Sequence, residues 1–267
     1  MRSSIVVLLC AALLGILPAA PATARPLRAS AVAVPAAGGP GDTALVHVGP
    51  ADAGTRAFVA WPAVRENAPC VVICHEWWGL NDQIRGIARR LAQQGYIAVV
   101  PDLYHGQVAT DPELAHELSR ALEDKVVYGD LDATIDWLRA QPPTVKSRIG
   151  VMGFCMGGGL SMGLALRRSG LTAAVMFYGV PETEPAEIQK LGPPLLAHFG
   201  AADKGILPAR ADDLRSALKR AGKTGEVYVY PGAGHGFMNE TRPSYHADAA
   251  RQAWARTLAF LQRNLKS

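Results

Sequence analysis

Short apolar runs alternate with amphipathic segments along most of this chain. The later runs are continuously apolar, which is typical of strands that are covered on both faces in a largely parallel sheet. The runs that predict β-strands are 44–48, 56–62, 70–76, 96–104, 148–154, 172–179, 194–200 and 226–232.

Helical periodicity lies between these runs. In the segment 82–95, apolar residues recur at Ile84, Ile87, Ala88 and Leu91, and a glycine ends the pattern. Another segment begins with an aspartate cap followed by proline. The predicted helices are 82–95, 111–124, 130–141, 208–222 and 244–265.

This alternation predicts an α/β fold with a largely parallel, doubly wound sheet flanked by helices and an antiparallel hairpin at its start. One domain over 42–267 accommodates every element. The preceding residues 25–41 are rich in Ala, Pro and Gly and predict a flexible lead-in. We find no internal repeat and no second domain.

The first 24 residues differ from the rest. A positive start is followed by an almost wholly apolar run from Ile5 to Leu17, and Ala22-Thr23-Ala24 has the small-residue pattern that precedes a cleavage site. An uncleaved membrane anchor is the alternative, but this run is shorter than the roughly 20 residues that span a bilayer. We therefore expect a signal peptide over 1–24, an exported (periplasmic or secreted) protein and no membrane association after cleavage.

Charge and cysteine content narrow the function further. The net charge is only +4 and the basic residues are scattered, which argues against nucleic-acid binding. Cleavage would leave Cys70, Cys74 and Cys155. The first two are four residues apart in a predicted strand, about 13 Å between Cα atoms and too far for a disulfide. We expect no disulfide and a free Cys155.

Cys155 follows the predicted strand 148–154 in the stretch GFCMGG. The pattern Gly153-x-Cys155-x-Gly157 matches a nucleophile elbow with cysteine in place of serine, and such a turn directs the side chain toward the N-terminus of the next helix. A buried cysteine before a glycine-rich turn can equally be a small apolar filler. The motif alone leaves both interpretations open.

Partners for a nucleophile occur in the order that elbow hydrolases use, which is nucleophile, acid, histidine. Asp203 follows the strand 194–200, and His235 follows the strand 226–232, so both lie past the carboxyl ends of strands. The other candidates fit less well, because they fall on predicted helices or inside a strand: Asp212, Asp213, His116, His246 and His198.

The loop after the third predicted strand reads CHEWWGLND. In an elbow hydrolase this loop donates one backbone N–H to the oxyanion, and the residue after the nucleophile donates the other. These positions are Trp77 and Met156. Glu76 would lie close to the thiol, although it could equally pair with a nearby arginine. For Trp77 and Trp78, core packing and a pocket wall are equally good interpretations.

Together, GFCMGG, GAADKG, GAGHGF and HEWWGLND resemble the dienelactone hydrolase family over residues 42–264. The resemblance implies an α/β-hydrolase fold and a Cys155–His235–Asp203 triad that cleaves lactones or carboxylic esters through an acyl-enzyme intermediate. Carboxymethylenebutenolidase is its reference activity. It also implies that Glu76 protects the thiol and helps to activate it.

The chain departs from the family at the substrate site. Asn239 stands where the reference enzyme has an arginine that grips a substrate carboxylate, and Arg242 is a nearby substitute. We take Trp78, Phe237, Asn239 and Arg242 as candidate substrate contacts. A preference for a carboxylated lactone is therefore not implied.

Two other classes of function compete with a hydrolase. A non-catalytic exported binding protein on the same scaffold is disfavoured, because it would not need the triad and Glu76 together. A thiol redox protein lacks a C-x-x-C motif. No histidines share a helix face at metal-ligand spacing, so we expect no metal and no cofactor. The remaining expectations are a monomer and a small-molecule lactone or ester as the only partner.

Overall fold

The computed structural model describes residues 41–141 and 145–267. The predicted signal peptide and all of the lead-in except its last residue lie outside these ranges. Within them, no helix has both the length and the apolar character needed to cross a bilayer.

Eight strands in the described ranges form one sheet in the order β1–β2–β4–β3–β5–β6–β7–β8. The pairs β1–β2 and β2–β4 are antiparallel, and all other pairs are parallel. The strands are β1 (Thr43–Val48), β2 (Thr55–Ala60), β3 (Ala68–Cys74), β4 (Ile97–Pro101), β5 (Val145–Phe154), β6 (Leu171–Phe177), β7 (Leu195–Gly200) and β8 (Gly225–Tyr230).

Helices connect the parallel strands and cover both faces of the sheet. They are α1 (Asp82–Gln93), α2 (Pro112–Arg120), α3 (Asp124–Arg139), α4 (Met156–Arg167), α5 (Pro185–Ile188), α6 (Ala209–Ala221) and α7 (Ala247–Leu265). Helices α3, α4 and α6 pack on one face, and α1 and α7 pack on the other.

Burial explains why the central strands are continuously apolar. Every residue of β3, β4 and β7 is buried, because side chains on both faces contact helices. α1 buries the predicted stripe of Ile84, Ile87, Ala88 and Leu91, and Asn81 caps its first turn by accepting a hydrogen bond from the Ile84 N–H. Hydrophobic periodicity and capping thus agree with the fold.

The predicted α/β class, the parallel sheet and the initial hairpin are confirmed. The helical pattern predicted for 111–124 ends earlier, at Arg120, and α3 begins at Asp124 rather than at residue 130. The periodicity search missed α4, whose glycine-rich sequence is not amphipathic because it packs against β3, β5 and β6. It also missed the single-turn α5.

Candidate active site

The turn between β5 and α4 holds Cys155 in an unusual backbone conformation. Its φ is +54° and its ψ is −118°, a combination that a residue with a side chain rarely adopts. Such a conformation costs about 1–3 kcal/mol and persists only where the surroundings enforce it. Here the Cys155 N–H donates to the Phe177 carbonyl at 3.0 Å, and the Cys155 carbonyl accepts from Gly158 at 2.9 Å.

Two glycines allow this turn to be tight. A Cβ on Gly153 would lie 1.8 Å from the Gly157 carbonyl oxygen. A Cβ on Gly157 would lie 2.2 Å from the Cys74 carbonyl oxygen and 2.4 Å from that of His75. The start of α4 therefore lies directly against the backbone after β3, and only glycine permits this approach.

His235 lies in the loop after β8 and reaches Cys155 across the carboxyl edge of the sheet. Its Nε2 is 3.1 Å from Cys155 Sγ, and its Nδ1 is 2.8 Å from Asp203 Oδ2. The other oxygen of the buried Asp203 accepts the N–H groups of Gly205 and Ile206 at 2.8 and 2.9 Å. The loop after β7 thus fixes the carboxylate, which in turn orients the imidazole.

The electrostatics of this trio favour a protonated imidazole. Burial alone would lower the pKa of His235, but hydrogen bonds and charges from Asp203 and Cys155 outweigh it and raise that pKa to about 10. Burial likewise opposes ionisation of Asp203, but hydrogen bonds from His235 and from backbone N–H groups leave its pKa below the usual value. The site therefore favours an imidazolium that is hydrogen-bonded to Asp203 and to Cys155.

Backbone N–H groups of Trp77 and Met156 lie on the two chain segments that Gly157 brings together. Within the described part of the chain, neither group donates to a protein acceptor. Tyr104 braces both residues, since its hydroxyl donates to the Trp77 carbonyl at 3.1 Å and lies 3.6 Å from Met156 Sδ. Both amides are thus available to an outside acceptor.

Glu76 is buried beneath the trio. One of its oxygens accepts from the Tyr178 hydroxyl at 2.9 Å, and the other accepts from the Asn239 amide at 2.8 Å. Burial raises the pKa of Glu76, although these two hydrogen bonds and the charges of His235 and Arg242 oppose that shift. The hydrogen bond of the Cys155 thiol goes to His235 rather than to Glu76.

A cavity of about 440 Å³ opens beside the Cys155 sulfur. It is formed by the loop after β3, helices α2 and α4, and the loops after β6, β7 and β8. Apolar residues in its lining are Trp77, Met156, Leu160, Val180 and Ile206, and polar ones are His116, Ser119, Cys155, Tyr178 and His235.

The predicted substrate contacts lie outside this lining. Phe237 and Asn239 are fully buried. The Asn239 amide nitrogen donates to Glu76, and its amide oxygen accepts from the N–H and hydroxyl groups of Thr241. Trp78 is buried and is covered by Arg242, whose guanidinium carbon lies 3.5 Å from the ring centroid. None of the four residues lines the cavity, and direct substrate contact at these positions stays a prediction.

Two histidines that fitted the catalytic role less well in the sequence, His198 and His116, lie in different surroundings. His198 is a core histidine, as predicted, because its ring bonds Tyr230 Oη and Thr257 Oγ1 and burial lowers its pKa to about 3. His116 is exposed on α2, but its ring packs edge-on against Trp77 and lines the cavity. In the sequence, its position on a predicted helix was the reason for disfavouring His116 as a site residue.

Tyr178 is the main residue that sequence reasoning missed. It follows β6 at the same edge of the sheet as Asp203 and His235, with φ at +38°. Its hydroxyl holds Glu76, and its ring packs edge-on against His235 with centroids 5.2 Å apart. Tyr178 fell inside the predicted strand 172–179, and its place near the carboxyl end of that run was the signal available in the sequence.

Comparison with known proteins identifies relatives over most of the chain. The model of the "Dienelactone hydrolase family" matches residues 55–265. A relative from Methylorubrum extorquens, named "Putative carboxymethylenebutenolidase", is 33% identical over 214 residues, 75% of this chain and 74% of that protein. A relative of the same name from Escherichia coli is 34% identical over 208 residues, 73% of this chain and 76% of that protein.

Solved structures agree with these relatives. A crystal structure from Klebsiella pneumoniae, described as a "Putative Dienelactone Hydrolase", superposes with a TM-score of 0.75 at 31% identity, covering 83% of this chain and 98% of that one. A metagenomic protein described as a dienelactone hydrolase-like promiscuous phosphotriesterase gives a TM-score of 0.74 at 25% identity, covering 85% of this chain and 100% of that one. The chain belongs to the dienelactone hydrolase family.

Proposed function

We propose that this protein is a cysteine hydrolase that cleaves carboxylic esters or lactones through an acyl-enzyme intermediate. The observation that carries the proposal is the hydrogen-bonded chain from Asp203 through His235 to Cys155, which ends at a strained elbow in an open cavity. Family membership supports the same class of reaction.

In this mechanism Cys155 Sγ attacks the carbonyl carbon while His235 Nε2 holds the thiol proton. The carbonyl π electrons move onto oxygen, and the N–H groups of Trp77 and Met156 stabilise the resulting oxyanion. When the tetrahedral intermediate collapses, the C–O bond to the leaving group breaks and His235 protonates the departing alkoxide. A thioester on Cys155 remains.

Water then completes the reaction at the same groups. His235, now neutral, accepts a proton from the water as the water oxygen bonds to the thioester carbonyl carbon. The second tetrahedral intermediate then collapses, the C–S bond breaks, the Cys155 thiolate leaves and the acid product forms. Asp203 keeps Nδ1 of the imidazole protonated, so that Nε2 always faces the reacting atoms. No cofactor is needed for any of these steps.

Glu76 lies next to the triad and influences it without contacting the substrate. Burial raises the pKa of Glu76 and the charge of the neighbouring His235 opposes that shift, so the two groups interact electrostatically, and Tyr178 and Asn239 hold Glu76 in place. We therefore assign it a positioning and charge-tuning role, which agrees with the thiol-modulating role implied by the resemblance.

The direct test is detection of the covalent intermediate. Wild-type protein and the variant Cys155→Ala are mixed with a short activated ester, quenched rapidly and weighed by intact-protein mass spectrometry. We expect an acyl adduct on the wild type alone, and a loss of kcat/KM of at least about a thousandfold in the variant.

Cys70→Ala provides the matched control, since this second thiol is buried within β3. It is expected to retain both the adduct and the activity. Ester hydrolysis by Cys155→Ala at the wild-type rate, or an adduct that persists in that variant, would contradict the proposed nucleophile.

A further inference from the structure

We infer that the cavity beside Cys155 selects substrates whose acyl portion is uncharged and apolar, and that it discriminates against a carboxylate next to the reacting carbonyl. This inference rests on the proposed function and specifies the substrate class of the same site. It is carried by the chemical character of the cavity lining.

One wall of the cavity is apolar. Leu160 on α4, Val180 in the loop after β6 and Ile206 in the loop after β7 face the space next to the sulfur, and Trp77 and Met156 close its other side. Such a surface gains free energy by removing alkyl or aryl groups from water and offers no partner to an ionised group.

The polar atoms of the lining are largely committed within the protein. The Tyr178 hydroxyl donates to Glu76, and the Ser119 hydroxyl donates to the His116 carbonyl. His235 bonds Asp203 on one side and Cys155 on the other. A substrate carboxylate entering the cavity would therefore replace its hydration with few new hydrogen bonds.

Charge around the cavity also disfavours an anion. Among the described residues that line it, none is an arginine or a lysine. The carboxylates of Glu76 and Asp203 lie just beneath it, where each is one hydrogen bond away from a lining side chain. The positive group in the lining is the His235 imidazolium, and both of its ring nitrogens are already hydrogen-bonded, to Asp203 and to Cys155, so a substrate carboxylate finds no free cation there.

Two arginines, Arg242 and Arg167, are engaged with aromatic rings outside the cavity lining. The Arg242 guanidinium stacks on the ring of Trp78, which does not line the cavity. The Arg167 guanidinium lies 3.6 Å from the Tyr128 ring centroid in a separate cavity, which shares only Gly159 and Val180 with the first. Neither arginine lines the cavity beside Cys155.

The test compares one lactone with and without its charge. The carboxylated dienelactone and its methyl ester share the same ring and the same scissile bond, and ring opening is followed by ultraviolet absorbance. We expect kcat/KM for the methyl ester to exceed that for the free acid by about tenfold or more. A preference for the free acid would overturn the inference.

A variant should reverse the preference. Ser119→Arg adds a cation to the exposed face of α2 at the cavity rim, and we expect the acid-to-ester ratio of kcat/KM to rise by about tenfold. Ser119→Gln, which adds length without charge, and His116→Gln, which removes the imidazole, should leave that ratio unchanged. A fall in the ratio with His116→Gln would show that His116 binds the acid, and would overturn the inference.

The same assay separates this inference from the proposed function. A 4-nitrophenyl butyrate control reports on the hydrolytic machinery alone. If the wild type hydrolyses the butyrate but prefers the free acid, the substrate class is wrong and the mechanism stands. If it hydrolyses no ester or lactone, the proposed function fails and the inference fails with it.

Discussion

His235 connects stability to catalysis at the scale of single residues. Its pKa is raised because the folded protein places it between Asp203 and Cys155, and no such arrangement exists in the unfolded chain. A group with a folded-state pKa above its unfolded value stabilises the fold while it is protonated. The triad geometry is therefore also a source of pH-dependent stability.

We predict that the free energy of unfolding falls as the pH rises from about 6.5, the ordinary value for histidine, to about 10, the value in the fold. Below the lower value both states bind the proton, so the contribution is fully present. Above the upper value neither does, so it is lost. Urea unfolding measured across this range checks the prediction.

The variant His235→Gln is the control for this pH dependence of the free energy of unfolding. It lacks the titrating group, so its stability should change less over the same pH range than that of the wild type. Parallel profiles for the two proteins would show that other groups, and not His235, determine the alkaline loss of stability.

Some residue assignments were within reach of the sequence and others were not. Asp203 and His235 were predictable because each follows a recognisable apolar strand, and parallel strands end at one edge. The hydrogen bond of Asn239 to Glu76 could not be predicted, because the two residues lie 163 positions apart in sequence. Only the fold reveals that the Asn239 amide supports a buried carboxylate.

At the scale of elements, the contact between α4 and the backbone after β3 defines the site. Gly157 lies against the carbonyls of Cys74 and His75, which brings Trp77 and Met156 onto one side of the cavity. This contact involves no side chain from Gly157. The distance between the two segments is therefore set by the absence of a Cβ.

Gly157→Ala should reduce both stability and activity. The added Cβ would lie 2.2 Å from a backbone oxygen that cannot move without disturbing β3. We expect a loss of about 1–3 kcal/mol in the free energy of unfolding and a fall in kcat/KM of at least about tenfold, because the two N–H donors separate. Thermal unfolding and ester hydrolysis measure these effects.

Gly159→Ala is the control on the same helix. Its Cβ would meet its nearest neighbour, the Val180 carbonyl oxygen, at an ordinary 3.7 Å. Alanine also has the higher helix propensity, so the stability should be unchanged or up to about 1 kcal/mol higher. Equal losses of stability in both variants would mean that the close backbone contact at Gly157 is not the cause of the destabilisation.

Hydrophobic periodicity in the sequence predicted helix α1 but missed helix α4, and the difference has a physical reason. α1 has water on one face and the sheet on the other, so its apolar stripe was visible in the sequence. α4 packs against β3, β5 and β6, but its half-buried positions Leu160 and Leu166 are also apolar and it includes three consecutive glycines, so it shows no such stripe. The helix that begins directly after Cys155 was thus hard to recognise from hydrophobic periodicity.

At the scale of the whole molecule, export stays a prediction from the first 24 residues. We propose that cleavage after Ala24 leaves a mature protein that begins at Arg25. The full chain, expressed in a Gram-negative host, should yield a periplasmic or secreted product with that N-terminus, determined by mass spectrometry of the terminal peptide.

Replacing both Ala22 and Ala24 with leucine should block this cleavage, because the small-residue pattern before the cut would be lost. The uncleaved precursor should then stay with the membrane fraction. A processed protein with the same N-terminus in this variant, or a wild type that remains in the cytoplasm at full length, would refute the signal peptide.

The strand order of the sheet also bears on how the protein refolds. β3 pairs with β5, although the whole of β4 and helices α1 to α3 lie between them in sequence. Closing so long a loop is slower than forming the β1–β2 hairpin or a helix. Cys155 and Trp77 meet only once that pairing has formed, so we expect the return of enzymatic activity to lag the return of helical signal.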